Sequence, residues 1–517
     1  MDIKFSNNEI SICEIELLSS EQSFESDILL PDYYQDIMKV LKCTAEPVVS
    51  KASLLGDKIV VDGAVSIKVY YQTVDSQLKV ISSKINFSKT FEIKNQMDSN
   101  IYINPKISLE YVNCRAINER KIDIKGALSL KLKIYCDLKE NILTDAKGAG
   151  LQIKNDNIKC MMVTGNNNNQ FVIKEDVSLE NTKPDIGNII RYEDEILSLD
   201  KKIIDNKIIL KGEIKLKVLY SPFNENGEEK IPVTTDFILP FNQIIDLPGL
   251  NQEDDCQIKL SLVWAEVTPK SDENGRSRLL SIDIGFNVNV KCHKEIESNV
   301  IIDAYSTLKE IEHDDKTINC YKILNKINER VSVEASVAIP GADNLIILDV
   351  WNSPKIVFSK KTDEGLSVEG KTQLSILGLE NNEPVYIEKL IDFKKLIPVD
   401  NVEKIDLKSD LDIESIDISY SLNYDSLDLK IDLLLTGYLY ENNVVNIIKD
   451  IKIDEDAKLK ERSEDDSLVV YYASPGEDIW KLAKKYNTNI SAILEENEDL
   501  KDNIINEKKM ILIPIVN

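Results

Sequence analysis

A period of two governs most of this chain. Residues 58–71 read KIVVDGAVSIKVYY, so that after Gly63 the side chains of Val65, Ile67 and Val69 point one way and those of Ser66 and Lys68 the other. That is a strand with one apolar and one wet face. The pattern returns at 207–220 (KIILKGEIKLKVLY), where Ile214, Leu216 and Val218 alternate with Lys215 and Lys217, and more loosely at 365–378 (GLSVEGKTQLSILG). The marker glycines Gly63, Gly212 and Gly370 are 149 and 158 residues apart. Each copy has a second half, at 121–134, 278–291 and 426–437, and a further strand just before it, at 106–112, 259–264 and 412–420. Polar connections such as 75–77 and 224–227 join the strands. A repeat of roughly 150 residues is too long for a thin solenoid and predicts tandem β domains, each with its own core. The expected class is mostly β: tandem antiparallel sandwich or open-barrel-like domains. Alternation leaves strand order open, and the strand-then-helix rhythm of a βαβ fold does not appear.

The expected domains are 1–165, 171–320 and 331–450. The run GNNNNQ at 165–170 reads as a loop or tip between the first two, and 322–330 as a connector between the second and third. Residues 451–467 are charged at nearly every second position and read as a linker. After them the period changes. In 468–517 a strand is followed by two short helical patterns and a closing strand, a βααβ order. Ser474 is a candidate N-cap with Pro475 in the first turn and Glu477 three residues on. Ile479, Trp480, Leu482, Ala483 and Tyr486 then share one face, Asn487 or Thr488 ends the first helix, and Asn489 or Ser491 starts the second. Two strands alone are marginal; two helices over one face supply the missing burial.

The chemistry of the side chains argues against catalysis. The 517 residues carry 63 Lys and Arg against 89 Asp and Glu, a net charge of −26. That disfavours a nucleic-acid duplex or an anionic membrane as the main partner. No phosphate-binding glycine loop is present. No run of 18 apolar residues suggests a transmembrane helix, and the N-terminus lacks the basic-then-apolar pattern of a signal peptide. Eight dispersed cysteines (Cys13, Cys43, Cys114, Cys136, Cys160, Cys256, Cys292 and Cys320) include no CxxC pair and read as buried thiols in a reducing, cytosolic compartment. Of the two histidines, His293 follows Cys292 on a strand, where neighbours face opposite ways and make a poor nucleophile–base pair. His313 lies in KEIEHDD at 309–315 and reads as solvated. Neither belongs to a ligand cluster of the kind zinc needs. A hydrolase would need two carboxylates at fixed separation, which 89 acidic residues leave unspecified. Trp264 and Trp351 lie in strand contexts and read as core residues. No catalytic, cofactor or metal residue is assigned.

The last segment resembles a LysM domain through SPGEDIW at 474–480, LAKKY at 482–486, ILEEN at 493–497 and MILIP at 510–514, all in order. It departs where the family usually has Asp-Thr after the glycine: here stand Glu477 and Asp478. LysM domains commonly bind N-acetylglucosamine polymers between the first helix and the loop after the second, and a carboxylate in place of a hydroxyl argues against that use here. The three repeats resemble the SPOCS domain of spore-forming bacteria through their I-x-V-x-G segments at 59–70 and 208–220. Together these pieces resemble a clostridial family of spore-coat morphogenetic proteins. The resemblance implies a non-catalytic scaffold, made in the mother-cell cytoplasm and recruited to the forespore surface. Its LysM-like domain would bind the coat-basement ATPase SpoIVA, and other coat proteins are further possible partners. The expected partner-binding residues are Pro475, Gly476, Glu477, Asp478, Ile479, Trp480, Asn497, Glu498, Asp499, Leu500 and Lys501, with Trp480 itself more a core residue than a platform. The alternative is a peptidoglycan or cortex-glycan binding protein, and behind it a cell-wall hydrolase.

Overall fold

The computed structural model describes residues 3–93, 100–223, 229–339, 344–453, 468–500 and 503–515. The turn expected at 224–227, residues 454–467 of the expected linker, and Lys501 fall outside them.

The repeat is expressed as three units of one topology. The first comprises β1 (Lys4–Leu29), β2 (Ile37–Leu55), β3 (Lys58–Thr73), β4 (Leu78–Glu92), β5 (Asn100–Asn118) and β6 (Lys121–Lys147). It forms two antiparallel three-stranded sheets, β1-β6-β5 and β2-β3-β4. The second unit repeats this with β7 (Leu151–Ser178), β8 (Ile186–Ile204), β9 (Lys207–Pro222), β10 (Val233–Asp246), β11 (Asp255–Ser271) and β12 (Ser277–Ser306), in sheets β7-β12-β11 and β8-β9-β10. The third does so with β13 (Ile311–Ala338), β14 (Leu345–Thr362), β15 (Gly365–Glu380), β16 (Glu383–Pro398), β17 (Leu407–Leu422) and β18 (Ser426–Ile453). In each unit the apolar stripes of the two sheets face each other, and each sandwich has a separate core.

The marker glycines have a packing role. Gly63 lies under the ring of Phe87, Gly212 under Phe241 and Gly370 under Phe393, each across an antiparallel pair. A Cβ at any of these positions would penetrate the ring and a neighbouring carbonyl oxygen. The pairing fills with an aromatic ring the space that the glycine leaves.

The first and last strands of each unit outrun their sandwich. β1 with β6, β7 with β12 and β13 with β18 continue as two-stranded arms, and the three arms pack on one another through Ile10, Ile12, Ile142, Ile158, Val300, Ile318 and Ile447. On the other side the three meander sheets meet through Tyr70, Leu219 and Leu377, which occupy the same place in β3, β9 and β15. The units therefore surround a common axis, with approximate three-fold topology.

Four expectations change in this assembly. The Asn run at 166–169 is not a loop: it is β-strand, with Asn166 opposite Lys291 and Asn169 opposite Val288. Residues 322–330 are likewise strand, within β13, and β18 extends to Ile453. Part of the wet strand face is covered by other units. Lys68 stands 4.1 Å over the Tyr192 ring, and burial lowers its pKa. Lys217 and Arg191 both bind Asp349, which is 2% exposed, at 2.5 and 2.6 Å. Removing one partner of such a buried pair typically costs about 3–5 kcal/mol. The cysteines also differ from the expectation of thiols: Cys160 is bonded to Cys320, joining the arms of units two and three, and Cys256 is bonded to Cys292 within unit two. Both pairs bring together separate strands, which spacing along the chain does not reveal.

Candidate functional site

The C-terminal module begins at β19 (Leu468–Ala473), continues through α1 (Ile479–Lys485) and α2 (Ile490–Glu496), and closes with β20 (Lys509–Pro514), antiparallel to β19. Its helices cover one face of the two-stranded sheet around Ile479, Leu482, Ala483, Ile493, Ile511 and Ile513. The helix start differs from the expectation. Ser474 and Glu477 form a turn, with Gly476 at φ 91°, and the N-cap of α1 is Asp478, whose Oδ1 accepts the Trp480 N–H at 2.9 Å. The side chain of Asn489 caps α2 by accepting the Ala492 N–H at 2.7 Å. Asn487, at φ 51°, turns the chain between the helices.

The module rests on the arm of unit two. Asp303 of β12 accepts a 2.7 Å hydrogen bond from the Trp480 indole N–H through Oδ2 and another, also 2.7 Å, from Lys484 through Oδ1. Burial raises the Asp303 pKa, but the Lys484 and Trp480 hydrogen bonds outweigh it and hold the carboxyl below its ordinary value. Tyr305 meets the Trp480 ring edge-on at 5.0 Å and donates its hydroxyl to the Thr488 carbonyl at 2.6 Å. Lys154 of β7 binds Asp478 at 2.8 Å. These contacts run along α1 from its N-cap Asp478 to Thr488 just beyond its end.

The other expected site residues are distributed as follows. Ile479 and Trp480 are buried. Asn497 is enclosed as well: it donates to the carbonyls of Ile493 and Leu512 and accepts the Leu512 N–H, tying α2 to β20. Leu500 packs partly on the core of the module. Pro475, Gly476, Glu498 and Asp499 are exposed, Asp499 in an ion pair with Lys509, while Glu477 and Asp478 are half-buried. The expected residues thus divide between the docked edge, the module core and an open acidic rim.

One exposed feature was not anticipated. The outer face of the β19–β20 sheet carries Leu468, Val470, Tyr472 and Met510, with Tyr472 77% exposed. Val470 faces Leu512, and Tyr472 faces Met510, across the ladder. The alternation of LVVYY at 468–472 is the signal that could have revealed this row. Such a row of exposed apolar side chains is a candidate interaction surface.

His293 is buried rather than paired with a nucleophile. Burial, then the Lys291 charge, push its pKa down to about 4, and its Nε2 lies 3.9 Å from Asp255. Cys292 is held in its disulfide. His313 is on the surface, 2.7 Å from Asp315. Trp264 is partly buried over Gly285, and Trp351 stacks beneath Arg191 at 4.0 Å between units. Among the described residues, no group of His, Cys, Asp and Glu side chains is placed to hold a metal ion, and no helix is long and apolar enough to cross a membrane.

The sequence model of the SipL SPOCS domain matches residues 36–117 and 185–270, and that of the LysM domain matches 471–514. The two SPOCS matches run from β2 to β5 and from β8 to β11. No curated protein and no solved structure matches the chain. The matched SPOCS and LysM domains are non-catalytic binding modules, a combination consistent with a scaffolding or interaction protein of sporulation.

Proposed function

We propose that this SipL-like chain, with its SPOCS domains and C-terminal LysM domain, is a scaffold of spore-envelope assembly that recruits the coat-basement ATPase SpoIVA through the LysM module. The strands β14–β17 occupy in unit three the place of the two matched SPOCS segments, so the reading takes unit three as a third SPOCS-like copy. The three SPOCS-like domains are then the units Lys4–Lys147, Leu151–Ser306 and Ile311–Ile453, followed by the LysM module. The work is done in the mother-cell cytoplasm at the forespore surface.

The observation that carries the reading is the two-sided character of the module. One edge is held by Asp303, Tyr305 and Lys154, while the apolar row Leu468, Val470, Tyr472 and Met510, the Pro475–Gly476 turn, Glu498 and the Lys509-paired Asp499 stay open. An apolar centre beside charged groups suits protein association: the first gives affinity, the second orientation and specificity. A glycan platform is less well supported, because Asp478 and Trp480 are already engaged by Lys154 and Asp303. Several such chains arrayed on one surface gain effective concentration.

The test is co-purification of the ATPase with full-length Tyr472→Asp and Val470→Asp chains from sporulating cells. Both variants should lose at least tenfold of the recovered partner while keeping the native circular dichroism. Undiminished recovery from both refutes this surface. Saturable binding of the unaltered chain to purified peptidoglycan, with no ATPase recovered, refutes the scaffold reading itself.

A further inference from the structure

On the axis between the three units lies a cavity of about 430 Å³ with a mixed polar and apolar lining, a volume ordinary for a small-molecule site. Its lining comes from β2, β5 and β6 of unit one, β7, β11 and β12 of unit two, and β14 and β17 of unit three. Lysines exceed carboxylates there: Lys106, Lys131, Lys259, Lys291 and Lys355 face it, against Asp410 and Asp412, with Lys106 and Lys259 each pairing with Asp412, at 2.9 and 3.5 Å, and Lys355 with Glu110. This excess of positive charge sits in a chain whose net charge is −26.

Two lining groups are buried without a hydrogen-bond partner. Lys291 is 6% exposed and its ammonium makes no hydrogen bond. The nearest carboxylate oxygen, Asp410 Oδ2, is 3.9 Å away, and the Tyr135 ring centroid is 3.7 Å away. Asp410 is already engaged by the Tyr135 hydroxyl at 2.7 Å and by Lys106 and Lys133 at 3.1 and 3.3 Å. Asn287, two residues before Asn289 and four before Lys291 on the same face of β12, is 7% exposed with an unpartnered Oδ1. Leaving a buried ammonium without a hydrogen bond is costly, and burial, aided by the Lys133 and Lys106 charges and opposed by Asp410, lowers the Lys291 pKa to about 8. A bound anion would satisfy that charge, while the surrounding amide and hydroxyl side chains would serve its remaining polar atoms.

The geometry points to the axial cavity as a binding site for a small multivalent anion, a carboxylate or phosphate compound, held by Lys291 with Lys259 and Lys106. Because each unit contributes to the wall, the ligand would also brace the three units against one another.

The test uses the full chain with inorganic phosphate and with citrate as separate probes, against sodium chloride at equal ionic strength. Calorimetric titration and thermal unfolding are measured for the unaltered protein, Lys291→Met and Lys259→Met. At least one probe should bind saturably and raise the melting temperature beyond the chloride control. Binding of phosphate alone or of citrate alone identifies the group the site prefers. In Lys291→Met the affinity should fall at least tenfold, and the loss is read against the variant's own ligand-free melting temperature, because Lys291 also contributes to holding Asp410 ionised. Lys259→Met, a partly exposed position, should weaken binding less and keeps the test open if Lys291→Met fails to fold. Absence of binding by both probes overturns the inference, as does undiminished affinity in both variants.

Discussion

Docking of the LysM module on the arm of unit two rests on Asp303, and replacing that residue with alanine should release it. The substitution deletes the acceptor of the Trp480 indole N–H and the partner of Lys484, both at 2.7 Å. A hydrogen bond to a charged group contributes about 1.5–3 kcal/mol. The Lys484 pair, whose side chains are 42% and 30% exposed, contributes about 0.5 kcal/mol. The sum of about 2–3.5 kcal/mol shifts the docking equilibrium by a factor of about 30–370. The remaining seam, the Tyr305 hydroxyl on Thr488 and Lys154 on Asp478, is retained, so adding Tyr305→Phe should loosen it further. The readout is hydrogen exchange by mass spectrometry in peptides covering 300–308 and 476–488, on the two sides of the seam. Exchange should accelerate in both and stay unchanged in 278–290, within the unit-two core. Asp303→Asn keeps an acceptor for the indole and should show an intermediate effect. Unchanged exchange at 300–308 and 476–488 in Asp303→Ala with Tyr305→Phe would refute the assignment of docking energy to this cluster.

Two further outcomes follow from the units themselves. Gly212→Val places side-chain atoms against the Ser198 carbonyl and inside the Phe241 ring, and should cost about 2–3 kcal/mol in urea unfolding of the full chain, whereas Val at the neighbouring exposed Lys211 should change stability by about 0.5 kcal/mol or less. Asp410 governs acid stability: burial raises its pKa, but Lys106, Lys133, Lys291 and the Tyr135 hydroxyl together hold it well below the ordinary carboxylate range. Its folded pKa being depressed, its contribution is complete above the unfolded value of about 3.9 and declines as pH falls below that value. Asp410→Asn should therefore destabilise the chain at pH 7 and flatten the loss of stability between about pH 4 and pH 2; parallel acid-unfolding curves for variant and parent would contradict this.

Much of the architecture was legible in the order of residues, and particular positions show why. The alternation of Val65, Ile67 and Val69 with Ser66 and Lys68 marks a strand because side chains on a strand alternate strictly between two faces. The glycines at 63, 212 and 370 marked a repeat, and in the structure each lies under an aromatic ring at the same place in its unit. The segment 474–514 carried its own pattern of strand, caps and helices, and the structure shortened the first helix to Ile479–Lys485, moving its N-cap from Ser474 to Asp478 and its C-cap to Tyr486. In each case the determining interactions lie within one strand pair or one helical turn.

What the chain order did not reveal depends on the second face of each sheet. Lys68, Lys217 and Lys291 look like solvated residues beside their own neighbours, yet other units cover them and supply Tyr192, Asp349 and Tyr135. The Asn run at 166–169 looks like a loop until β12 pairs with it, and the bonds Cys160–Cys320 and Cys256–Cys292 join strands whose proximity no local spacing announces. The same holds for Trp480, whose indole finds its acceptor on Asp303, 177 residues earlier. Periodicity records which side of a strand is apolar, a property of the strand alone. Whether the polar side meets water, another unit or a cavity is set by how three cores stack about one axis, and only the assembled fold decides that.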